Sequence, residues 1–500
     1  MKKILVINGP NLNLLGEREP GIYGTDGYSE LSAAVMDKAD ELNVKCEIFQ
    51  SNHEGAIIDR LHSARSYDGV VLNAGAYTHY SYAIRDAISA INIPVIEVHI
   101  SNVFARDEFR KNSVIAPVCK GSVSGFGFGS YLMAMDALVK YSQERKRLNR
   151  IEMLSLPDNA DCAMITSDTS RRYFTGMKSS AGIILIFRDC AYLLIDFRYV
   201  EKARNTVKCC RVIEQENLKE QITQLMKKHN AHSIAVEAAD MTLSQIAFYE
   251  KKFPEFDFIK DNELSDNITV MRSVKSSDEI EKIKSAQKIA EKAFDEILNF
   301  IKPGVTEREI SLALDGQMLK NGAEALSFET IALCGSNTSM PHGVPSETAV
   351  KNGNFVLMDF GAVYDGYHSD MTRTVCVGEP SEKMVRVYDV VYEAQLKALA
   401  TVRAGITGSE LDLSARRFIE DAGFGECFGH SLGHGVGMEI HEHPAASSKS
   451  EDLLSENMIV TIEPGIYLPG EFGVRIEDFV VVTEKSCENL TKCPKKMIIL

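Results

Sequence analysis

The sequence predicts a flavodoxin-like α/β parallel sheet at the N-terminus, then a second α/β domain and an α+β domain. Three observations carry this reading. The first 146 residues alternate short β-branched runs with amphipathic stretches, the pattern of parallel strands joined by crossover helices. A basic helical stretch, SQERKRLNRIEML (142–154), separates a segment of net charge −2 from a remainder of net −13. A long charged helix, SSDEIEKIKSAQKIAEKAFDEILNFI (276–301), then leads into a region of amphipathic helices and hairpins. The expected domains are therefore 1–146, 147–274 and 275–500.

In the first domain the strands read KILVIN, KCEIFQ, GVVLNA, PVIEVHI and KGSVSG, each bounded by polar or glycine residues. Helical patterns such as SELSAAVMDKADEL and YSYAIRDAISAI lie between them. No phosphate-binding GxGxxG or Walker loop follows the first strand, which argues against a nucleotide site. The second domain contains CAMITSDTSRRYFTG and GIILIFRDCAYLLIDFRYVEKA. In the third, Asp365-Gly366 between apolar runs predicts a two-residue hairpin turn pairing 364 with 367, 361 with 370 and 359 with 372.

Composition narrows the function classes. Hydrophobic residues make up 45% and charged residues 25%, which excludes a coiled coil or a largely disordered chain. With 55 basic against 70 acidic residues, the net charge of −15 disfavours nucleic-acid binding through a basic face. No apolar run reaches the ~18 residues of a membrane span. The start, MKKILVINGPN, is too short for a signal-peptide core. Eleven scattered cysteines without a CxxC pair disfavour a disulfide framework or a cysteine-ligated zinc site, and fit a cytoplasmic protein.

In a doubly wound sheet, ligands bind beyond the carboxyl ends of the strands. The loops there supply Asn11, Arg18, Tyr23, Asn73, His79, Glu97, His99, Ser101, Arg106 and Arg110. Arginines and backbone N–H groups suit a carboxylate, and Asn and His suit hydroxyls, so the set can bind a small anionic polyol. It can also eliminate water. A cation such as Arg18 favours phenolate at Tyr23, and Glu97, two residues from His99 on one strand face, can hold the imidazole as an acid. His79 and Asp86 are seven apart at a helix start, again on one face. Spacing alone leaves elimination and plain polyol binding both open.

The motifs GPNLNLLGEREPGIYG, LNAGAYTH, IEVHISN and ARDEFR, in order through residues 2–140, resemble type II 3-dehydroquinate dehydratase. The resemblance implies dehydration of 3-dehydroquinate to 3-dehydroshikimate, in the shikimate pathway of aromatic amino acid biosynthesis, without metal or cofactor. It assigns Tyr23 as the base at C2, supported by Arg18, and Asn11 with ordered water to the enolate. His99, oriented by Glu97, becomes the acid for the departing hydroxyl. Asn73, His79, Asp86, the Ile100–Ser101 backbone and Arg110 would hold the substrate.

The second constellation lies near the C-terminus. With the predicted hairpin, Asp370 sits opposite Gly361 and diagonal to Asp359 on one face. Two such carboxylates repel unless a cation lies between them, and the glycine would leave room for it. GHSLGHGVGMEIHEHP concentrates His430, His434 and His441, but HSLGH lacks the glutamate of an HExxH metalloprotease. Glu463 ends a strand before Pro-Gly, and GVRIED places Arg475 and Glu477 on one strand face. Two Asp, two Glu and one His suit two bridged Mn²⁺, Co²⁺ or Zn²⁺ ions, the machinery of amide hydrolysis.

This order of motifs resembles the pita-bread metallopeptidases, with prolidase and aminopeptidase P the nearest in pattern. The resemblance implies metal ligands Asp359, Asp370, His434, Glu463 and Glu477. It gives His342 and His441 to substrate binding and proton transfer, and His430 and Arg475 to support. It covers about 150–500, where ITSDTSRRYFTG and DFRYVEKA look like a creatinase/prolidase N-terminal domain. The substrates implied are Xaa-Pro peptides. The chain then reads as a bifunctional fusion, with an alternative in which only the dehydratase is active and the other half binds or assembles. Resemblance also implies a homo-oligomer through the N-terminal domain, since type II dehydratases typically form dodecamers and prolidase-like enzymes are often dimers.

Overall fold

Five parallel strands open the chain: β1 (Lys3–Asn8), β2 (Lys45–Gln50), β3 (Gly69–Asn73), β4 (Val95–His99) and β5 (Gly121–Ser124). A computed structural model describes residues 2–17, 26–91 and 93–500, with side chains at all of these except 65–66 and 141–149. The strand order is β2-β1-β3-β4-β5, the flavodoxin-like order, whose direction reverses between β1 and β3. Alternation along the strands explains why both faces are covered. Ile4, Val6, Val71, Ile96 and Val98 pack with Leu31 and Val35 of helix Tyr28–Glu41 and with Tyr131 and Met135 of helix Gly129–Met153. Leu5, Ile7, Val70, Leu72 and Val95 pack on the other face with Ile57, Leu61, Ile84 and Ile88 of helices Glu54–His62 and Tyr82–Ser89.

The chain divides into two compact units, Met1–Arg150 and Ile151–Leu500. The change falls inside helix Gly129–Met153, close to the residue where the charge balance shifts. The second unit holds both of the regions that the sequence divides at 274. One core joins Ile165, Phe174 and Ile195 to Ile283, Val436 and Phe479. Within it a six-stranded mixed sheet runs in the order Asp257–Ile259, Ser233–Val236, Cys162–Ile165, Ile183–Phe187, Ala191–Ile195, Arg211–Glu214.

Helix Ser277–Ile297 starts at a capping box between Ser276 and Glu279 and leads into the antiparallel sheets. Strand Asn354–Phe360 pairs with Met371–Val377 in the predicted register, Asp359 opposite Thr372, and the turn pairs Tyr364 with Tyr367. Asp365 and Gly366 both have positive φ, 45° and 81°, as a type I′ turn requires. A five-stranded sheet carries Gly433–Gly435, Ile459–Ile462 and Asp478–Val482, and a hairpin joins Gly465–Leu468 to Phe472–Arg475. A buried ion pair, Arg373 Nη2 to Asp478 Oδ1 at 2.8 Å, ties the strand after Asp370 to the chain after Glu477. Among the described residues no helix is long and apolar enough to cross a membrane.

Candidate active sites

The carboxyl ends of β1, β3 and β4 frame the first pocket. Asn11, Asn73, His79, His99, Ile100, Ser101, Arg106 and Arg110 line it, together with Pro10, Leu12 and Gly75. Gly9 lets the β1 loop approach β3: a Cβ there would meet the Ala74 carbonyl oxygen at 2.6 Å. Asn73 is held by Tyr131, whose hydroxyl accepts from Asn73 Nδ2 at 2.8 Å and donates to Asn8 Oδ1 at 2.7 Å. Tyr131 carries no motif; only its place on the helix packed under the sheet brings it there.

Glu97 and His99 share a face as predicted. His99 Nε2 lies 2.8 Å from Glu97 Oε1, and both side chains are buried. Ser113 Oγ donates to the same carboxylate oxygen at 2.9 Å, a support with no sequence signal. Glu97 Oε2 is buried without a partner among the described residues. His79 Nδ1 lies 2.8 Å from the Asn112 carbonyl, its ring stacks 6.4 Å from that of His99, and burial lowers its pKa. Arg110 lies over the Phe109 ring, 4.8 Å from its centroid.

Two expectations change here. His79 ends the turn Gly75–His79 while Asp86 lies on the separate helix Tyr82–Ser89, so the pair does not share a helical face. Asp86 is exposed and does not line this pocket. Arg18 and Tyr23 lie outside the described residues.

The second pocket, about 540 Å³, gathers all nine residues predicted for it: His342, Asp359, Asp370, His430, His434, His441, Glu463, Arg475 and Glu477. Three antiparallel segments deliver the acids. Asp359 comes from the strand opposite Thr372, Asp370 precedes Met371–Val377, and Glu463 follows Ile459–Ile462. Arg475 ends strand Phe472–Arg475 and Glu477 lies in the gap before Asp478–Val482, so the two do not share one continuous strand. Gly361 does not make room for a cation: a Cβ there would meet the Ser369 carbonyl oxygen at 2.0 Å. The glycine is required by the close approach of the two chains.

Asp370, His434 and Glu477 offer ligand atoms within 4.8 Å of one another. His434 Nε2 lies 3.4 Å from Glu463 Oε1 and 3.6 Å from Asp370 Oδ2. Its Nδ1–H points to the Gly435 carbonyl at 3.0 Å, which turns Nε2 toward the acids. Arg475 Nη2 donates to Asp359 Oδ2 at 2.7 Å, and Thr372 Oγ1 donates to Glu477 Oε2 at 2.7 Å. The other oxygens, Asp359 Oδ1 and Glu477 Oε1, are buried with no partner among the described residues.

Such acids cannot all be ionised without a cation. Burial and then the neighbouring carboxylates raise Asp370 and Glu477 well above the ordinary range. Burial, together with Asp359, raises Glu463 to about 8, although Arg475 opposes it. Burial lowers His434 and His441 and takes His430, beside Arg475, down to about 4. Two divalent ions would neutralise this set and complete the orphaned oxygens, so the residues present fit a dinuclear centre.

Three supports were not legible in sequence. Tyr467 lies 2.9 Å from His430 Nε2 and accepts from Arg475 Nη1 at 2.7 Å. Thr461 donates to Glu463 at 3.1 Å, and Thr372 accepts from Arg475 Nε at 3.0 Å while holding Glu477. Phe328, Ile331, Pro341 and Ile440 form an apolar wall beside the acids. His342 and His441 are exposed, toward solvent from the buried acids.

Three family models match the chain in series: dehydroquinase class II over residues 2–139, the creatinase/prolidase N-terminal domain over 147–274, and metallopeptidase family M24 over 281–484. The uncharacterized peptidase YqhT of Bacillus subtilis is 41% identical over 341 residues, 68% of this chain and 96% of its own. Among solved structures, an Xaa-Pro dipeptidase from Bacillus anthracis is similar at 40% identity and TM-score 0.67, covering 72% of this chain and 99% of its own. An X-Pro aminopeptidase from Thermotoga maritima MSB8 is similar at 39% identity and TM-score 0.66, covering 71% and 100%.

Proposed function

We propose, for a chain that belongs to metallopeptidase family M24 and carries a class II dehydroquinase domain ahead of it, that two independent reactions are catalysed. The first is dehydration of 3-dehydroquinate to 3-dehydroshikimate, without a metal. The second is metal-dependent hydrolysis of Xaa-Pro peptides. The observation that carries the second reading is the convergence of five ligand-type residues on one pocket where Asp359 Oδ1 and Glu477 Oε1 are buried and unpartnered.

In the dehydratase, Tyr23 takes the C2 proton with Arg18 favouring its phenolate. Asn11 steadies the enolate. Glu97 accepts the Nε2–H of His99, so Nδ1 is the atom left to pass a proton to the departing hydroxyl. Asn73, His79, Asp86, Ile100, Ser101 and Arg110 bind the substrate; Asp86 would have to reach it from outside the pocket described above.

In the peptidase, Asp359, Asp370, His434, Glu463 and Glu477 hold two divalent ions of the Mn²⁺, Co²⁺ or Zn²⁺ class. Such ions lower the pKa of water and polarise a peptide carbonyl. Arg475 fixes the Asp359 carboxylate, and Tyr467 links Arg475 to His430. His342 and His441, at the mouth, hydrogen-bond the peptide and move protons. The wall of Phe328, Ile331 and Ile440 suits an apolar proline ring. Relatives named as dipeptidase and as aminopeptidase match almost equally, so the length of the peptide is a matter for assay.

We place the enzyme in the cytoplasm, supported by eleven cysteines that form no disulfide. We expect a homo-oligomer built through the N-terminal domain, where Tyr80, Tyr82, Phe104, Phe109 and Phe126 are exposed. Light scattering tests this; a monomer at working concentration overturns it. The functional test supplies the purified chain with 3-dehydroquinate alone and with a Xaa-Pro dipeptide alone. Turnover of only one substrate reduces the proposal to that half.

A further inference from the structure

The loop that carries His342 is tied at both ends by a carboxylate that does not line the pocket. The chain leaves strand Ile331–Cys334, which pairs with the strand of Asp359, and makes the turn Gly335–Ser339. It returns through Pro341, His342 and Ser346. The outgoing limb is fixed to the hairpin strand Phe472–Arg475. There the buried Thr338 hydroxyl accepts from the Gly473 N–H at 2.8 Å and donates to the Gly335 carbonyl at 2.7 Å. Gly343 folds the return limb back onto its own strand, where a Cβ would meet Leu333 Cδ1 at 2.7 Å.

Helix Glu307–Lys320 starts beside this loop. Thr306 and Glu309 form its capping box, so Glu307, the first helical residue, is free to turn elsewhere. Glu307 is fully buried and accepts from uncharged donors on both oxygens. Oε1 takes the Cys334 N–H at 2.7 Å and Asn337 Nδ2 at 2.9 Å. Oε2 takes the Ser346 N–H at 3.0 Å and the Ser346 hydroxyl at 2.6 Å. One side chain thus joins the start of the loop to its end. The helix backbone adds to this: the N–H groups of Glu307 and Arg308, which have no partner inside the helix, donate to the carbonyls of Thr348 and Ser346 at 3.0 and 3.1 Å. Hydrogen bonds to an ionised carboxylate are about twice as strong as neutral ones. A neutral amide in the same place could accept on one side only, and its N–H₂ would face the donors on the other.

We propose that Glu307 is a positioning residue for His342, acting by holding the two ends of the loop that presents it to the peptide. The inference rests on the peptidase reading, in which His342 hydrogen-bonds the substrate. With Glu307 neutral, the return limb keeps the 3.4 Å hydrogen bond from Arg475 Nη1 to the Pro341 carbonyl and the Arg308 contact, and loses both bonds at Ser346 to the carboxylate. The bonds of Glu307 go to the loop and not to the strands that deliver Asp359, Asp370, His434, Glu463 and Glu477, so the metal site should be spared. Glu307 lies outside the motifs that name the pocket, and only the fold sets it against the loop.

The test compares the full-length chain with Glu307→Gln, each supplied with Mn²⁺. Hydrogen exchange read by mass spectrometry should be at least about tenfold faster over 334–346 in the variant and unchanged over 354–360 and 459–463. On a Xaa-Pro dipeptide kcat/KM should fall about 10- to 100-fold, while the Mn²⁺ concentration giving half of the activity moves less than about twofold. In a His342→Ala background the same substitution should cost less than about twofold more, because the group it positions is already gone. An acid that merely stabilises the fold would lower the melting temperature and add its full loss in both backgrounds. Additive losses, unchanged exchange over 334–346, or a shifted Mn²⁺ requirement overturns the proposal. Ser346→Ala removes one donor to Glu307 and should repeat the cycle at about 2- to 10-fold, which keeps the test open if the glutamine variant fails to fold. A parent chain that cleaves no Xaa-Pro peptide defeats the peptidase reading by itself, and exchange over 334–346 then decides alone whether Glu307 holds the loop.

Discussion

The two pockets treat a buried carboxylate in opposite ways. In the N-terminal pocket Glu97 is fully buried but meets His99 and Ser113 on one oxygen, so a side chain able to carry the balancing proton stands beside it. In the C-terminal pocket Asp370, Glu463 and Glu477 crowd together with one histidine and one committed arginine, and burial drives their pKa values up. A site that carries its own counter-charge can do proton chemistry unaided. A site with several acids and too few cations is built to receive charge from outside.

The sharpest way to break this contrast is chelation combined with Asp370→Asn. The substitution keeps the shape and removes a charge and an oxygen ligand. Metal affinity should fall by more than about 100-fold and Xaa-Pro hydrolysis should vanish at ordinary metal concentrations. Dehydroquinate turnover should survive both treatments. Metal-independent peptide cleavage would show that the acids work without the ions, and a dehydratase lost to chelator would show that the halves are coupled.

Tyr23→Phe approaches the contrast from the other side. Removing the proposed base should cost about 10²-fold or more in dehydration, with peptide hydrolysis untouched. Steady-state rates on the two substrates decide it, and near-normal dehydration would remove Tyr23 from the mechanism.

A matched pair sharpens the comparison. Ser113 and Thr372 each donate to a buried carboxylate, Glu97 and Glu477 respectively. Thr372→Val should weaken metal binding about 10- to 100-fold, read by the metal concentration that restores half of the hydrolysis. Ser113→Ala should lower dehydration only about 2- to 10-fold, because His99 still hydrogen-bonds Glu97 (a net hydrogen bond is worth about 1 kcal/mol). Equal effects in the two sites would mean that the counter-charge argument is wrong.

The smallest effect concerns an acid with its cations in place. Glu324 is bridged by Arg172 and Lys178, which hold its carboxyl at about 2. A carboxylate held below its ordinary 4.5 stabilises the fold above that pH and loses the contribution as pH falls toward 2. The group is partly exposed, so screening limits the gain to about 1 kcal/mol or less. Glu324→Gln should therefore lower the melting temperature slightly at pH 7 and hardly at all near pH 2. An unchanged difference across that range would deny the ion pairs any role.

Local pattern determined a great deal here. Short β-branched runs bounded by polar or glycine residues marked the five parallel strands, because strands covered on both faces are apolar along most of their length. Asp365-Gly366 set the hairpin register, and with it the pairing of Asp359 with Thr372, because only a type I′ turn accepts positive φ at two successive residues. The motifs around His99 and around His434 named most of the residues that line the two pockets. Other features were beyond local pattern. Tyr131 reaches Asn8 and Asn73 across 123 and 58 residues, and Tyr467, Thr461 and Thr372 are ordinary strand residues until folding sets them beside acids. Gly361 seemed to leave space for an ion, and only the packed chain showed the Ser369 carbonyl filling it. Asp86 seemed to share a helix face with His79 until a turn separated them. Periodicity and turn chemistry act over a few neighbours and are written locally. Support for a buried charge comes from whichever side chain the tertiary fold places within hydrogen-bond reach, and no local spacing encodes that.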